Sequence, residues 1–599
     1  MKSLRLTLFL LLALTTFTSM AADFYWISAT NSNWNNSANW SNTSGGTGGT
    51  LLPGFTDRVF FDDNGTGICT LDVNASVYAV IMSDGTLNTS TFTFTVSGTS
   101  NSTFSGGTIN GNNVFNIHPT GSAIVTFSGT TFNPEVNVVA PRIRLNGSTF
   151  NGVSYFEKTG GSNDAGTGGN TFVGNCTIKN TGSGYFMLGN GGGDSFSANL
   201  DIINSGSYSL YLAYNNSNTT IGGNLTISNS GTAHTIGISY NGVSSVNVTG
   251  NCTVNNSSSA AAGIYLGNNG SFTVGGTLDI TNGETGNSSI YLANGTASSA
   301  TISGTTTIVN NDTATTHRIY LGNQGDVTFN GILNIKNNSN ANNSQIYCNN
   351  GVNSTNTYNE NIVVEVTETG SDGILFGAGG GSGTLASGKT ITIGDAGFIA
   401  GDLQFRNFTQ TGATTQSLTT TGTTRIYCYD SDWGGNIEFA SPRIITRGTT
   451  YNDTTKLEIT GSSSSQSYGD NTFTGNTRLI NSGSSSLLMG VGGTDDFQGN
   501  LTLNNIGSGS ISLAYRSPGT TNIAGTFIIN NSSATNSGNI YVAYDSASTV
   551  IVNGNTTITN SGAGGQKRIY LGRVGDMTFN GTVTVHNSSS STYSPVYFN

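Results

Sequence analysis

The sequence has little charge, little proline and few long apolar runs, and each shortage excludes a class of protein. Charged residues make up 9% of the 599 residues, whereas ordinary soluble domains carry about 25%. Only 7 residues are proline, while Phe and Tyr number 29 and 23, which argues against a disordered linker. The net charge of −11 excludes electrostatic binding to nucleic acid or to an anionic membrane.

The one long apolar run lies at the N-terminus. Lys2 and Arg5 precede an apolar stretch at residues 6–17, and Ser19-Met20-Ala21 follows as a small-x-small cleavage pattern. The run is too short to span a membrane comfortably, so residues 1–22 are interpreted as a cleaved secretory signal. We expect a secreted or outer-surface protein that does not insert into the membrane.

The chain is rich in Gly, with 84 residues, and it repeats itself. A short motif ending in Asn recurs twelve times at intervals of 24 to 29 residues within two arrays, at Asn180, Asn204, Asn229, Asn256, Asn282, Asn310 and Asn337, and at Asn481, Asn505, Asn531, Asn560 and Asn587. Each unit also contains an Ile-Tyr-Leu strand and an alternating strand such as Val327-Thr328-Phe329. Three short strands per unit and no helical pattern predict one coil of a parallel β-helix.

The predicted fold is therefore all-β: a long right-handed parallel β-helix with about 27 residues per coil. The recurring Asn is expected at a turn with left-handed backbone, where its amide would bond to neighbouring coils. Residues 23–66 differ from the repeats and contain Trp26, Trp34 and Trp40. They are predicted to cap the first coil, although a tryptophan cluster can also bind sugar.

A longer repeat lies above the coil repeat and divides residues 67–599. Ala140-Pro141-Arg142-Ile143 matches Ser441-Pro442-Arg443-Ile444 at an offset of 301 residues. The two long repeats are placed at about 125–425 and 426–599. Val596-Tyr597-Phe598-Asn599 aligns with Ile346-Tyr347-Cys348-Asn349. The second long repeat is thus incomplete, and we expect the natural chain to continue beyond it.

Five cysteines in an exported protein would ordinarily suggest disulfides. Cys176 and Cys252 instead share a repeat position with leucines, and Cys348 aligns with Leu321. Cysteine in such places behaves as a small buried hydrophobe, so all five cysteines, which include Cys69 and Cys428, are predicted to be free thiols.

The opening residues and several repeated phrases resemble a known kind of protein. A tryptophan pair, Ser44-Gly45-Gly46, Pro53 and the stretch 57–62 are followed by APRI at 140–143, GGNTF at 168–172, IYLG at 264–267 and LASGKTITIG at 385–394. This pattern resembles large repetitive exported proteins of Bacteroidetes. The resemblance implies a cell-surface adhesin with a β-helix repeat region.

Little in the sequence indicates catalysis, and no cofactor or metal site is predicted. Residues 383–390 match the letters of a phosphate-binding loop but precede a strand rather than a helix. The four histidines, His118, His234, His317 and His586, lack ligand spacing. The densest acidic stretch, Glu360, Glu365, Glu368 and Asp372, is interpreted as a solvated face with at most a weak calcium site. The alternative function is a carbohydrate-active β-helix enzyme, a polysaccharide lyase or glycoside hydrolase, whose carboxylates converge on one groove.

The predicted binding residues are four tyrosines in consecutive coils: Tyr265, Tyr291, Tyr320 and Tyr347. The equivalent position accepts Gly237 and Ser512, so these side chains are expected to point outward. The hypothesis is a flat, uncharged platform that binds a neutral polysaccharide or cell-surface glycan through aromatic faces and hydroxyls. Structural stacking alone, or a spacer role for the whole protein, are the competing interpretations.

Overall fold

The computed structural model describes residues 21–259, 263–283, 288–313, 318–534, 537–544, 547–563, 565–591 and 593–599. Most of the predicted signal, residues 1–20, and His317 lie outside the described residues. The described chain is all-β except for one short 3-10 helix, Ser37–Asn39. The chain divides into two compact units, residues 1–224 and 225–599. Each is a parallel β-solenoid with about 26 residues per turn, which confirms the predicted β-helix.

Unit 1 has three faces. Its first face comprises Asp23–Trp26, Trp40–Ser41, Arg58–Phe61, Ala79–Met82, Ser102–Phe104, Ile124–Phe127, Arg142–Leu145, Asp164–Ala165, Phe186–Met187 and Leu210–Tyr214. Its second face comprises Ser32–Asn33, Cys69–Thr70, Thr86–Asn88, Thr108–Asn110, Thr131–Phe132, Thr149–Phe150, Thr171–Phe172, Ser195–Phe196 and Asn218–Ile221. Its third face comprises Ala75–Val77, Phe94–Val96, Phe115–Ile117, Val136–Ala140, Ser154–Lys158, Cys176–Asn180 and Leu200–Asn204.

Unit 2 repeats these faces. Its first face, called the tyrosine face below, comprises Ile236–Tyr240, Ile264–Asn268, Ile290–Leu292, Ile319–Leu321, Ile346–Cys348, Gly373–Phe376, Asp402–Arg406, Arg425–Tyr429 and Arg443–Arg447. That face continues with the shorter strands Ser465–Gln466, Leu487–Leu488, Ile511–Leu513, Ile540–Val542, Ile569–Leu571 and Val596–Phe598.

The other two faces of unit 2 complete its coils. The second face comprises Ser245–Val248, Ser271–Val274, Ser299–Ile302, Asp326–Phe329, Thr355–Tyr358, Ser382–Leu385, Phe408–Gln410, Asp432–Trp433, Thr450–Tyr451, Thr472–Phe473, Asp496–Phe497, Thr520–Ile523, Thr549–Val552 and Asp576–Phe579. The third comprises Leu225–Gly231, Cys252–Ser258, Leu278–Asn282, Thr306–Asn310, Leu333–Asn337, Ile362–Val366 and Ile391–Phe398, and then Gln416–Thr419, Ile437–Ser441, Thr455–Ile459, Thr477–Asn481, Leu501–Asn505, Phe527–Asn531, Thr556–Asn560 and Val583–Asn587.

The core consists of ladders of inward side chains. Along most strands of the third face, burial alternates with period two, as in Leu333–Asn337. Aromatic residues stack within the core: the rings of Phe172 and Phe196 lie 4.5 Å apart and nearly parallel. Cys252 pairs in register with Leu225 and Leu278. All five cysteines are buried and free, which confirms the thiol prediction.

The predicted cap, residues 23–66, adds strands at the N-terminal end of the first and second faces. Strand Asp23–Trp26 pairs in parallel with Arg58–Phe61 and antiparallel with Trp40–Ser41. Trp26, Trp34 and Trp40 are buried, and Trp40 contacts both other indoles edge-on. Because these rings are buried, they do not offer a sugar an exposed aromatic face, and the capping role of residues 23–66 stays a prediction.

The recurring asparagine departs from the expected backbone. None of the twelve described asparagines has a positive φ, so the left-handed turn predicted there is wrong. Each residue ends or lies in an extended strand, and all but Asn587 are buried. Several of their amides bond to the next coil, as from Asn256 Nδ2 to Asn282 Oδ1 at 2.9 Å. The left-handed residue instead follows the Ile-Tyr-Leu strand, at Gly267 and Gly322.

Candidate functional site

The four predicted tyrosines form one continuous ladder on the tyrosine face. Tyr265, Tyr291, Tyr320 and Tyr347 are direct neighbours in parallel register. Their ring centroids are 4.7, 4.9 and 5.0 Å apart, with planes within 8° of parallel. Each ring is half-buried, and burial raises the pKa of the Tyr291 and Tyr347 hydroxyls above the ordinary tyrosine value.

The stacking determines which parts of the tyrosine rings are accessible to a ligand. The spacing between rings matches the spacing of about 4.8 Å between neighbouring strands, so each ring covers the face of the next. At one end, Tyr240 packs edge-on against Tyr265 at 5.8 Å. The ladder therefore presents ring edges and hydroxyls to solvent, and the broad aromatic platform expected from the sequence is not formed between coils.

Polar groups accompany the ladder at a fixed interval. Three residues after its tyrosine, each coil contributes one half-buried asparagine. Together these residues form a second row: Asn268, Asn294, Asn323 and Asn350. Neighbouring amides in this row bond to one another at 2.8, 2.8 and 3.1 Å. An amide has two donor hydrogens and an acceptor oxygen with two lone pairs, so each side chain retains hydrogen-bonding capacity beyond the row.

One cation lies beside the ladder. Arg318 donates from Nη1 to the Tyr320 hydroxyl at 3.4 Å, and its guanidinium carbon lies 5.7 Å from the Tyr347 ring centre. The Tyr347 hydroxyl in turn donates to Gln345 Oε1 at 3.2 Å. These contacts hold the phenol rings in place and leave the surface predominantly uncharged.

The sequence reasoning missed a second tyrosine ladder. Tyr541, Tyr570 and Tyr597 pair in register and stack at 5.3 and 4.7 Å. Arg568 Nη1 donates to the Tyr570 hydroxyl at 3.4 Å, as Arg318 does to Tyr320. The signal was present, because the Ile-Tyr-Leu strand of the first array recurs at 569–571. The next residue towards the N-terminus in this register, Ser512, is buried rather than exposed.

A polar cleft adjoins the same face of unit 2, and sequence reasoning missed it as well. Its volume is about 500 Å³, and its charged lining residues are Asp372, Arg425 and Arg443. Asp402, Arg425 and Arg443 occupy one register position in three successive coils. This position lies two residues before the one that holds tyrosine in the ladder, so the charged row and the ladder lie on the same side of the sheet.

Turn length explains why a cleft forms here. The connection between strands Ile437–Ser441 and Arg443–Arg447 is the single residue Pro442, and only three residues join Phe398 to Asp402. Longer connections on either side contribute Ser371 and Ser463 as walls. Short turns between longer ones leave a depression in the surface.

The charges in the cleft are unevenly paired. Arg425 binds Asp402 through two contacts, Nε to Oδ1 at 2.5 Å and Nη2 to Oδ2 at 3.0 Å. Burial raises the pKa of Asp402, and Arg425 opposes that shift. Asp372 accepts from the Asn343 backbone N–H and from Gln345 Nε2.

Other residues considered for chemistry are dispersed. Glu360 pairs with Lys389 at 2.6 Å and Glu365 with Lys336 at 3.5 Å, and Glu365 faces outward between buried valines, as predicted. Across the described ranges, no group of three or more His, Cys, Asp and Glu side chains could hold a metal ion. Residues 391–398 after the loop-like motif form a strand, so a phosphate-binding loop is not built.

No family model matches this chain, and no curated protein or solved structure is significantly similar to it. Within the described part of the chain, no helix has the length and apolarity to cross a membrane. Arguments about function therefore depend on the surface of the solenoid.

Proposed function

We propose that this protein is an exported, adhesin-like binding scaffold that recognises a neutral polysaccharide along the tyrosine face. Secretion or outer-surface placement follows from the signal pattern at residues 1–22, and the solenoid provides a long, regular surface. The proposal is carried by one observation: four consecutive coils repeat Tyr-x-x-Asn in strict register. This row of hydroxyls and amides extends over about 14 Å, at a strand spacing of about 4.8 Å.

The stacked geometry determines the mode of recognition. Because neighbouring tyrosines cover one another's faces, a sugar would contact ring edges, phenol hydroxyls and the amides of the asparagine row. Sugar hydroxyls both donate and accept hydrogen bonds, as do phenol and amide groups. A surface with little charge favours a neutral glycan over an anionic one along this row.

The test is the double variant Tyr291→Phe/Tyr320→Phe in the mature chain. Phenylalanine keeps the stacked ring and removes only the hydroxyl. Glycan-array binding and the affinity for the best neutral hit should fall about tenfold, because two hydrogen bonds of about 0.5–1.5 kcal/mol each are lost. The melting temperature should change little.

The second ladder supplies a matched control. Tyr541→Phe/Tyr570→Phe removes the same groups from the shorter ladder, where Asn294 and Asn323 have no counterparts at the equivalent positions Tyr544 and Arg573. We expect neutral-glycan binding to persist in this control. Unchanged binding in the Tyr291/Tyr320 variant would return the first ladder to a purely structural role, as would a loss explained by unfolding.

The alternative, a carbohydrate-active enzyme, is favoured by one observation: Asp372, which lines the cleft, is near a second aspartate, Asp402, in the next coil. Asp372 raises the pKa of Asp402 through its charge, although burial is the larger cause. Both Asp402 oxygens are held by Arg425, which makes this carboxylate a poor general acid. Release of reducing ends or of unsaturated sugars from polysaccharides, abolished in Asp402→Asn, would establish the enzyme.

A further inference from the structure

The two long repeats differ at the residues that surround one arginine. Arg142 of unit 1 and Arg443 of unit 2 are equivalent at the offset of 301, and each follows a one-residue proline turn. Arg142 Nε donates to Asp164 Oδ1 at 2.9 Å, and that carboxylate is fully buried. The residue equivalent to Asp164 is Ser465, so unit 2 has lost the carboxylate and kept the arginine.

Arg443 is consequently left with hydrogen-bonding capacity directed at the cleft. Its Nε donates to the Ser464 carbonyl at 3.0 Å. Among the described residues, no carboxylate oxygen lies within 4 Å of its guanidinium, and its two terminal nitrogens form no hydrogen bond. Arg443 is half-buried, and it lines the cleft together with Pro442 and Ser463.

The charges nearby favour an anion at this end of the cleft. Arg425 lies in the coil next to that of Arg443, about 4.8 Å away by strand spacing. Asp402 lies in the next coil after Arg425, on the side away from Arg443. The guanidinium of Arg425 thus lies between the carboxylate and Arg443. Asp372 belongs to the coil before Asp402 and is about 14 Å from Arg443 by the same count, which exceeds the Debye length of about 8–10 Å in physiological salt.

The remaining lining matches a hydroxyl-rich ligand. Apart from the three charged residues and Pro442, the cleft is lined by Asn342, Thr369, Gly370, Ser371, Gly401, Gly422, Thr423, Ser462 and Ser463. Gly401 and Gly422 have positive φ, and a Cβ on either would fall within 2.6 Å of backbone atoms of a neighbouring coil. Small residues thus keep the floor low, and hydroxyl and amide groups supply the walls.

We infer that this cleft binds the carboxylate of an acidic sugar, with the guanidinium of Arg443 as its anchor. The planar guanidinium fork matches the two oxygens of a carboxylate, and the hydroxyl-lined walls meet the ring hydroxyls. The inference rests on the proposed function and extends it: the neutral row at Tyr265–Tyr347 and the charged cleft are two subsites on one face of unit 2. A polysaccharide with both neutral and uronic acid units would engage both.

The experiment compares two forms of one ligand. Binding of oligogalacturonate and of its methyl ester to the full mature chain is measured by calorimetry at pH 7 and low salt. The ester keeps the sugar's shape and removes the charge. We expect the acid to bind at least about tenfold more tightly, the size of one charge-assisted hydrogen-bonded contact, and this preference should weaken with added salt.

Two substitutions test the anchor independently. Arg443→Gln should abolish the preference for the acid and leave ester binding unchanged. Ser465→Asp should rebuild the ion pair of the first repeat, occupy Arg443 and abolish the same preference. If Ser465→Asp fails to fold, Arg443→Gln still decides, because that side chain is half-exposed. Arg142→Gln is the matched control: its guanidinium is engaged by Asp164, so the preference should be retained.

The outcomes separate this inference from the proposed function. Equal binding of acid and ester by the unaltered protein would overturn the cleft assignment, as would a preference that survives in Arg443→Gln. The proposed function of the tyrosine face is tested separately, by measuring how neutral glycans on the array bind to the Tyr291→Phe/Tyr320→Phe variant. An alternative result is an oligoglutamate peptide that binds as tightly as the oligogalacturonate and with the same dependence on Arg443. That result would overturn the assignment of an acidic sugar as the ligand and favour an acidic peptide.

Discussion

The two long repeats contain the same corner of the solenoid, but the charged residues at that corner differ. In unit 1 the residues around Pro141 line a cleft of about 490 Å³ with His118 and Thr159, while Arg142 is paired with the buried Asp164. In unit 2 the corner around Pro442 lines a cleft with two arginines. At the offset of 301, Ile124 corresponds to Arg425 and Asp164 to Ser465.

The difference shows that the two repeats can keep the same strand register while single residues, including buried ones, change. Inward residues are held by the coils on both sides, so Ile143 and Ile444 are the same and both buried. Asp164 and Ser465 are also buried, yet they differ, and this one substitution changes which charges are paired without altering the register. The charged cleft therefore arises from a change at one buried position, Asp164 to Ser465, together with a change at one outward position, Ile124 to Arg425.

The largest expected effect concerns a feature that the two repeats share. Asp194 and Asp495 are equivalent at the offset of 301 and are both buried. Each accepts through Oδ1 from the side chain of an asparagine one coil earlier, at 2.8 Å. Burial raises the pKa of each carboxyl from its ordinary value of 3.8 to about 6, against the opposing effect of these hydrogen bonds.

Because the folded pKa is raised, the folded state holds its proton more tightly than the unfolded chain. Stability should thus be highest below about pH 4, fall as pH rises to about 6, and then level off. The loss is roughly 3 kcal/mol for each carboxyl. In denaturant titrations at pH 4 and pH 7, Asp194→Asn and Asp495→Asn should each reduce this difference. An unchanged pH profile in both variants would refute the assignment.

The second prediction converts one repeat to the other. Asp164→Ser places the unit 2 residue in unit 1 and removes the partner of Arg142. Breaking a buried ion pair costs about 3–5 kcal/mol. Because Arg142 is 22% exposed, we expect a smaller loss of about 2 kcal/mol in the free energy of unfolding, measured with denaturant.

A double-mutant cycle sharpens this comparison. Lys158 is buried, and its Nζ donates to the Gly160 and Gly184 carbonyls. Burial lowers its pKa, and Asp164 opposes that shift. The second repeat has Ile459 at the equivalent position. In Lys158→Ile/Asp164→Ser the combined loss should be smaller than the sum of the single losses. Additive losses would show that the two charges are not coupled.

The smallest expected effect is an absence of reaction. A thiol reagent added to the native, non-reduced protein should modify none of the five cysteines, since all are buried. Burial also raises the pKa of Cys428 to about 12, which suppresses the reactive thiolate. After denaturation without reductant, five thiols should react. A count of three or one would contradict the free-thiol assignment in both repeats.

Much of this arrangement could be predicted from periodicity alone. The recurring motif predicted the coil, and the Cys252/Leu278 interchange predicted buried thiols, because inward positions select for size and apolarity. The backbone of the recurring asparagine was predicted wrongly, since an amide ladder and a left-handed turn both favour that residue type. In the sequence, the only sign of the cleft is the change from Asp164 to Ser465. Its effect on the pairing of the arginine depends on which residues lie in the neighbouring coils.

By itself, then, the sequence determined the all-β class, the coil length, the inward ladders and the row of four tyrosines. These follow from short-range patterns that repeat with each coil. Only the tertiary structure decided that the tyrosine rings cover one another's faces, and that Arg425 is paired with Asp402 while Arg443 is not. The physical reason is that such contacts join residues about 20 to 30 positions apart, and ring orientation and ion pairing depend on distances of a few ångströms between coils.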